Sequence, residues 1–190
     1  LARDEDKPLF AEKIEKESRR LIMLVEDIIK LSNLDEGAEQ EKTSFYVRPM
    51  IEEILDTLSL AAEKKNVTFT LSDGNFEITA GNSQIHELFY NLLDNAVKYN
   101  KDGGHVSVSI DRGGIVCIAD TGIGIPEELR GRIFERFFRV DKSHSKKVNG
   151  TGLGLSIVKH IALNNNLKID VQSELDKGSV FTIDFASCLV

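Results

Sequence analysis

Three short blocks lie close together in the stretch 120–156: Asp120-Thr-Gly-Ile-Gly-Ile-Pro126, Phe134-Glu-Arg-Phe-Phe-Arg139 and Gly150-Thr-Gly-Leu-Gly-Leu-Ser156. Two glycine-spaced turns bracketing a long polar segment suit a site where backbone must approach a flat, anionic ligand and a cover must close over it. A nucleotide is the simplest such ligand. The known glycine signatures do not fit. Leu155 stands where the third glycine of G-x-G-x-x-G belongs, and no G-x-x-x-x-G-K-[ST] occurs. No histidine begins an H-R-D catalytic loop.

Upstream, the apolar run Ile115-Val-Cys-Ile-Ala119 reads as a buried strand that delivers Asp120 at its end, after the alternating strand Val106-Ser-Val-Ser-Ile110 and the turn Asp111-Arg-Gly-Gly114. Before it, residues 82–99 place Ile85, Leu88, Phe89, Leu92, Leu93 and Ala96 on one helical face. Asn91, Asn95 and Lys98 form a polar stripe on the other. Amides are poor helix formers, so two of them one turn apart point to a site. Downstream, Gly154 to Leu163 predicts a helix whose amino-terminal end is the glycine-rich turn, a ready anion site. The strands Leu167–Val171 and Ser179–Phe185 then complete a sheet.

Farther out, Ile51, Ile54, Leu55, Leu58 and Ala62 predict an amphipathic helix over 48–65, with short strands at 67–71 and 76–80. Phe10, Ile14, Leu21, Leu24, Ile28 and Leu31 make a heptad stripe, widened by Ile22, Val25 and Ile29 into the surface of a bundle helix. The polar segment after Asp35 predicts a boundary: residues 1–36 as a helix, 37–44 as a linker and 45–190 as the main domain.

Composition narrows the class. With 41% hydrophobic and 29% charged residues and no apolar run of spanning length, the 190-residue chain reads as a soluble globular protein. A net charge of −7 argues against general nucleic-acid binding. Arg130, Arg132, Arg136, Arg139, Lys142, Lys146 and Lys147 are nevertheless clustered, facing only Glu135 and Asp141 in that segment, and would attract a polyphosphate. Cys117 and Cys188 have no metal or redox spacing and fit a reducing cytoplasm, with Cys117 expected as a packing residue. His105 and His160 are expected at the surface and His144 in the cover.

Together with Asn91-Leu-Leu-Asp-Asn-Ala-Val-Lys-Tyr99, the three opening blocks resemble, in family order, the ATP-binding catalytic domain of bacterial sensor histidine kinases. That domain is grouped with gyrase, MutL and the large heat-shock chaperone ATPases. The likeness covers about residues 45 to 186. It implies an α+β fold, a two-layer α/β sandwich whose mixed sheet is covered by helices on one face. Residues 1–36, closing with Leu31-Ser-Asn-Leu-Asp-Glu-Gly37, resemble the second helix of the family's dimerisation hairpin.

The cofactors implied are ATP and Mg²⁺. The resemblance gives the metal to Asn95, with Asn91 beside it, phosphate to Lys98 and Arg139, and adenine to Tyr99 and Asp120. Gly122 and Gly124 would allow close approach of the nucleotide, and Ile125 and Thr182 would also bind it. Gly150, Thr151, Gly152, Leu153, Gly154 and Leu155 would surround the phosphates. Asn91, Lys98 and Arg139 would be the catalytic set. Expected partners are a hairpin bearing the acceptor histidine, a response regulator receiver domain and a second copy in a homodimer. The fragment would be cytoplasmic, in a protein anchored in the inner membrane.

Two departures matter. The family's acceptor histidine lies on the first hairpin helix, upstream of residue 1, and His86-Glu-Leu88 lacks the rest of the acceptor motif. Hydrolysing relatives place a Glu general base one turn before the metal Asn, where this chain has Asn91. A neutral imidazole needs less activation, so transfer to histidine fits better than hydrolysis. The alternative reading is a nucleotide-sensing interaction module without kinase activity.

Overall fold

The computed structural model describes residues 7–35, 41–140 and 150–190, with side chains from residue 13 onward. The chain runs α1 (Lys7–Asp35), β1 (Lys42–Tyr46), α2 (Val47–Glu63), β2 (Thr68–Leu71), β3 (Glu77–Gly81), α3 (Asn82–Lys98), β4 (His105–Ile110), β5 (Ile115–Asp120), α4 (Gly154–Asn164), β6 (Lys168–Glu174) and β7 (Gly178–Asp184). A 3₁₀ turn covers Glu127–Leu129. The main sheet has the order β2-β4-β5-β7-β6, with β2 parallel to β4 and the other pairs antiparallel. It is the mixed sheet of the expected α+β sandwich.

Helices α2, α3 and α4 form because their apolar residues recur every three or four positions and pack onto the sheet. Val47, Met50, Ile51, Ile54, Leu55, Leu58 and Ala62 bury one side of α2. On α3 the set is Ile85, Leu88, Phe89, Leu92, Leu93, Ala96 and Val97. Phe89 and Phe76 both lie against Phe185, at 5.6 and 5.8 Å between ring centroids. A fully buried side chain of this size contributes about 1.5–3 kcal/mol. Two helices stop by the same device. Asn66 and Asn166 take positive φ after α2 and α4, and the next amides, of Val67 and Leu167, bond back to Ala62 and Ala162 at 2.9 and 2.8 Å.

Two boundaries differ from the sequence reading. Residues 42–44, assigned to a linker, belong to β1, which pairs antiparallel with β3 as a separate two-stranded sheet. Lys42-Thr-Ser-Phe-Tyr46 is mostly exposed, so its pairing leaves no period-two apolar trace. The stripe of α1 is also divided. Leu31 is buried and Leu24 and Leu34 pack on the main core, whereas Ile14, Leu21, Ile22, Val25, Ile28 and Ile29 remain exposed. Among the described residues no helix is long and apolar enough to cross a membrane.

Candidate nucleotide site

Strand parity decides what faces the site. On β5, Val116, Ile118 and Asp120 share one side and are paired with Ile183, Phe181 and Ser179 of β7. Val116, Ile118, Phe181 and Ile183 are core residues, so Asp120 emerges from the helix-covered face at the strand's end. Its Oδ1 accepts the Gly122 N–H at 2.7 Å. Ser179, its partner across the sheet, lies beside the carboxylate, with its hydroxyl 2.9 Å from the Ser173 hydroxyl. Burial, the largest influence, pushes the Asp120 carboxyl above its ordinary range, while the Gly122 N–H and Ser179 hold it down.

Thr182 does not belong here. It is paired with Cys117, one residue out of phase with Asp120, and its Oγ1 lies 3.6 Å from the Cys117 Sγ on the opposite face of the sheet. The residue beside Asp120 is Ser179, 6% exposed and absent from the sequence assignment. Counting along β7 from its register with β5 would have found it. Cys117 is accordingly half-exposed on that opposite face and does not pack in the core.

The polar stripe of α3 is half-buried. Asn91 donates from Nδ2 to the Glu87 backbone oxygen at 2.9 Å and to Glu87 Oε1 at 3.0 Å. Its Oδ1 turns toward α4, where a Cβ on Gly154 would stand 2.6 Å away. Lys98 pairs with Asp94 at 2.5 Å. Among the described residues the Asn95 side chain makes no hydrogen bond, so its amide oxygen is open as a hard donor. His86 stacks on Tyr90 at 6.4 Å. Tyr99 is 36% exposed, and its hydroxyl lies 3.7 Å from the position of a Cβ on Gly150. The base-side and phosphate-side motifs therefore meet.

Gly152 takes φ +77, and a Cβ there would stand 3.1 Å from the Phe137 backbone. This proximity lets the Phe137 N–H donate to the Gly152 carbonyl at 3.0 Å. Arg139 Nη1 donates to the Gly150 carbonyl at 2.8 Å. Arg132 lies 4.5 Å over the Phe138 ring. The 134–139 block thus folds onto the glycine turn that starts α4. Leu153 and Leu155 contribute side chains to the core, so any ligand contact of theirs is through backbone. The Ile125 side chain packs there too, and the close neighbour of Gly124 is the Glu174 carbonyl, 2.0 Å from where a Cβ would lie. Lys142, His144, Lys146 and Lys147 lie outside the described residues.

Helix α1 reaches all of these elements. Thr151 donates to Asp27 Oδ2 at 2.6 Å. Lys30 pairs with Glu87 at 2.9 Å, and Arg136 with Asp35 at 2.7 Å. His160 joins the last pair, with Nε2 3.1 Å from Asp35 Oδ1 and Nδ1 2.8 Å from the Ser156 carbonyl. His105 sits between the Thr68 and Thr70 hydroxyls at 2.8 and 3.0 Å. Both histidines are half-exposed and held by these hydrogen bonds. Burial raises the Asp27 carboxyl, opposed by the Thr151 hydrogen bond, whereas the Arg136 guanidinium holds that of Asp35 low.

A half-buried carboxylate at a strand end, an amide-bearing helix face and a glycine turn opening a helix define an α/β sandwich with a site for a base and a polyanion. The family model of histidine kinase-, DNA gyrase B- and HSP90-like ATPases matches residues 80–187, and the chain belongs to that family. The sensor-like histidine kinase SenX3 of Mycolicibacterium smegmatis is 38% identical over 180 residues, covering 92% of this chain and 47% of that protein. The sensor histidine kinase RppB of Synechocystis is 36% identical over 178 residues, covering 90% and 39%. The chain thus spans less than half of each of these relatives. The structure of histidine kinase ThkA in complex with response regulator protein TrrA matches with a TM-score of 0.73 and 25% identity, covering 96% of this chain and 52% of that one.

Proposed function

We propose that this chain is the ATP-binding catalytic portion of a sensor histidine kinase, which passes the terminal phosphoryl group of ATP to a histidine for relay to a response regulator receiver domain. The observation that carries this reading is the close approach of the α4 glycine turn to Asn91 and Tyr99, with the Gly122 turn that donates to Asp120 pressed on the Tyr99 carbonyl. Asp120 reads the adenine amino group, and Tyr99 lies along the base. The amino-terminal end of α4 receives phosphate oxygens, with Lys98 and Arg139 as neighbouring cations. Bound Mg²⁺, held through the Asn95 oxygen, would neutralise phosphate charge.

The Asn91 position favours transfer over hydrolysis. Its amide cannot take a proton, and Glu87, one turn back, is occupied by Asn91 and Lys30. A neutral imidazole acceptor brings its own lone pair. None of the four histidines lies in an acceptor motif, so the acceptor would come from a hairpin of which α1 would be the second helix. The exposed apolar residues of α1 would face that first helix and a second copy, in a protein anchored at the inner membrane with this portion in the cytoplasm.

The relatives' names support this reading, as does the ThkA complex with a response regulator. ATP turnover with and without an added acceptor hairpin tests it. ATP should be consumed only with the hairpin, by phosphoryl transfer. Steady release of free phosphate without it would contradict the assignment.

A further inference from the structure

Asn100, the residue after Tyr99, is a side chain that the proposed site does not use. It is 7% exposed and touches three segments at once. Its Nδ2 donates to the His105 carbonyl at 3.1 Å, at the start of β4. Its Oδ1 accepts the Lys101 N–H at 3.0 Å and the Thr121 hydroxyl at 3.1 Å, the latter just beyond β5. Thr121 closes the circuit, since its Oγ1 accepts the His105 N–H at 2.8 Å and its own N–H donates to the His105 carbonyl at 3.1 Å. Room for this exists because residue 104 is glycine. A Cβ there would stand 2.0 Å from Asn100 Oδ1 and 2.9 Å from Thr121 Oγ1.

The circuit lies directly behind Asp120. Ile123 N–H donates to the Tyr99 carbonyl at 3.1 Å, and a Cβ on Gly122 would stand 2.4 Å from that same carbonyl. The turn supplying a donor to the Asp120 carboxylate is therefore pressed against the end of α3, and the buried amide of Asn100 fixes the distance between them. A buried amide that loses a partner is costly, so the arrangement resists slipping.

We propose that Asn100, acting through Thr121, is the positioning residue that aims Asp120 at the base and so sets the preference for adenine over guanine. This rests on the proposed reading of Asp120 as the base contact. Asn100 touches no ligand atom. Its role is to hold one carboxylate oxygen on Gly122 and leave the other toward the base.

The test is calorimetry of ATP and GTP binding to this chain, alongside thermal unfolding. Asn100→Ala should weaken ATP about tenfold and GTP much less, lowering the ATP-to-GTP preference by a similar factor. Thr121→Val, at an exposed position, should do the same in part, and Thr121→Ser should restore the preference. Asn165→Ala is the control for burial alone. That amide is 5% exposed and bonded to Gln84 Oε1 at 2.8 Å and to the Ile161 carbonyl at 2.9 Å, away from the turn. It should lower the unfolding temperature and leave the preference unchanged.

If Asn100→Ala lowers the unfolding temperature without changing the preference, or Asn165→Ala changes it equally, the proposal fails. Should Asn100→Ala not fold, an unchanged preference in Thr121→Val refutes it alone. Equal ATP and GTP binding by the wild type, or an Asp120→Ala variant with unaltered preference, removes the base reading and this proposal with it.

Discussion

Replacing Thr151 by valine removes one hydroxyl, which also accepts the Leu153 N–H at 3.3 Å within the glycine turn. That hydroxyl donates to Asp27 at 2.6 Å and is the shortest link between α1 and the phosphate side of the site. A hydrogen bond to a charged acceptor is worth about 1.5–3 kcal/mol. Asp27 is half-exposed, and its burial already disfavours the charged form, so that range is discounted to about 1–2 kcal/mol. The neighbouring Lys30–Glu87 pair, with side chains 46% and 26% exposed, adds about 0.2–1 kcal/mol and is retained. Thr151→Val should therefore speed hydrogen exchange at residues 24–35 by roughly five- to thirtyfold, since each 1.4 kcal/mol is a factor of ten. Amides of α3 and β5 should not change. If residues 24–35 exchange at wild-type rates in the variant, α1 is not held by this contact. If α3 and β5 accelerate equally, the substitution has loosened the whole fold.

Ser179→Ala should weaken ATP binding by about 1 kcal/mol through loss of the hydroxyl beside Asp120, whereas Thr182→Val, on the other face, should leave it unaltered; titration of both distinguishes the two assignments. Asn95→Ala should abolish the Mg²⁺ dependence of ATP affinity, measured by calorimetry with and without the metal, and an unchanged dependence would refute its role as the metal donor. Asp27 and Asp120 both bind their protons more tightly when folded, so their contribution to stability falls as pH rises from their ordinary value of 3.8 through the raised folded values. Asp27→Asn, whose amide oxygen still accepts from Thr151, should flatten that fall in urea denaturation across the same window. Asp35, held low by Arg136, has the opposite sign and loses its contribution as pH falls.

The long elements were legible because their apolar spacing has one interpretation: α2, α3 and α4 bury the residues their periods mark. Asp120 was legible because an unbroken apolar strand ran into it. The Thr182 assignment failed against the strand's own alternation, since Phe181, Ile183 and Phe185 take the core face and turn Thr182 to the other. β1 was missed because its partner β3, and not its own composition, makes it a strand. The Asp27–Thr151 link joins residues 124 apart by one polar contact, and a heptad stripe says nothing about polar residues beside it. Asn100 was passed over because a polar residue ending a helix looks like a cap until its surroundings are seen to be closed.

The central claim is that this chain holds the machinery for phosphoryl transfer and needs a histidine from elsewhere. The direct measurement is labelling with ATP carrying a marked terminal phosphate, with and without an added dimerisation hairpin bearing the acceptor histidine. The chain alone should remain unlabelled. The hairpin should acquire a label stable in base and lost in acid, and this should disappear with Asn95→Ala and fall sharply with Arg139→Ala. Efficient labelling of the isolated chain at His86 or His144, or an acid-stable label on the hairpin, would contradict the account.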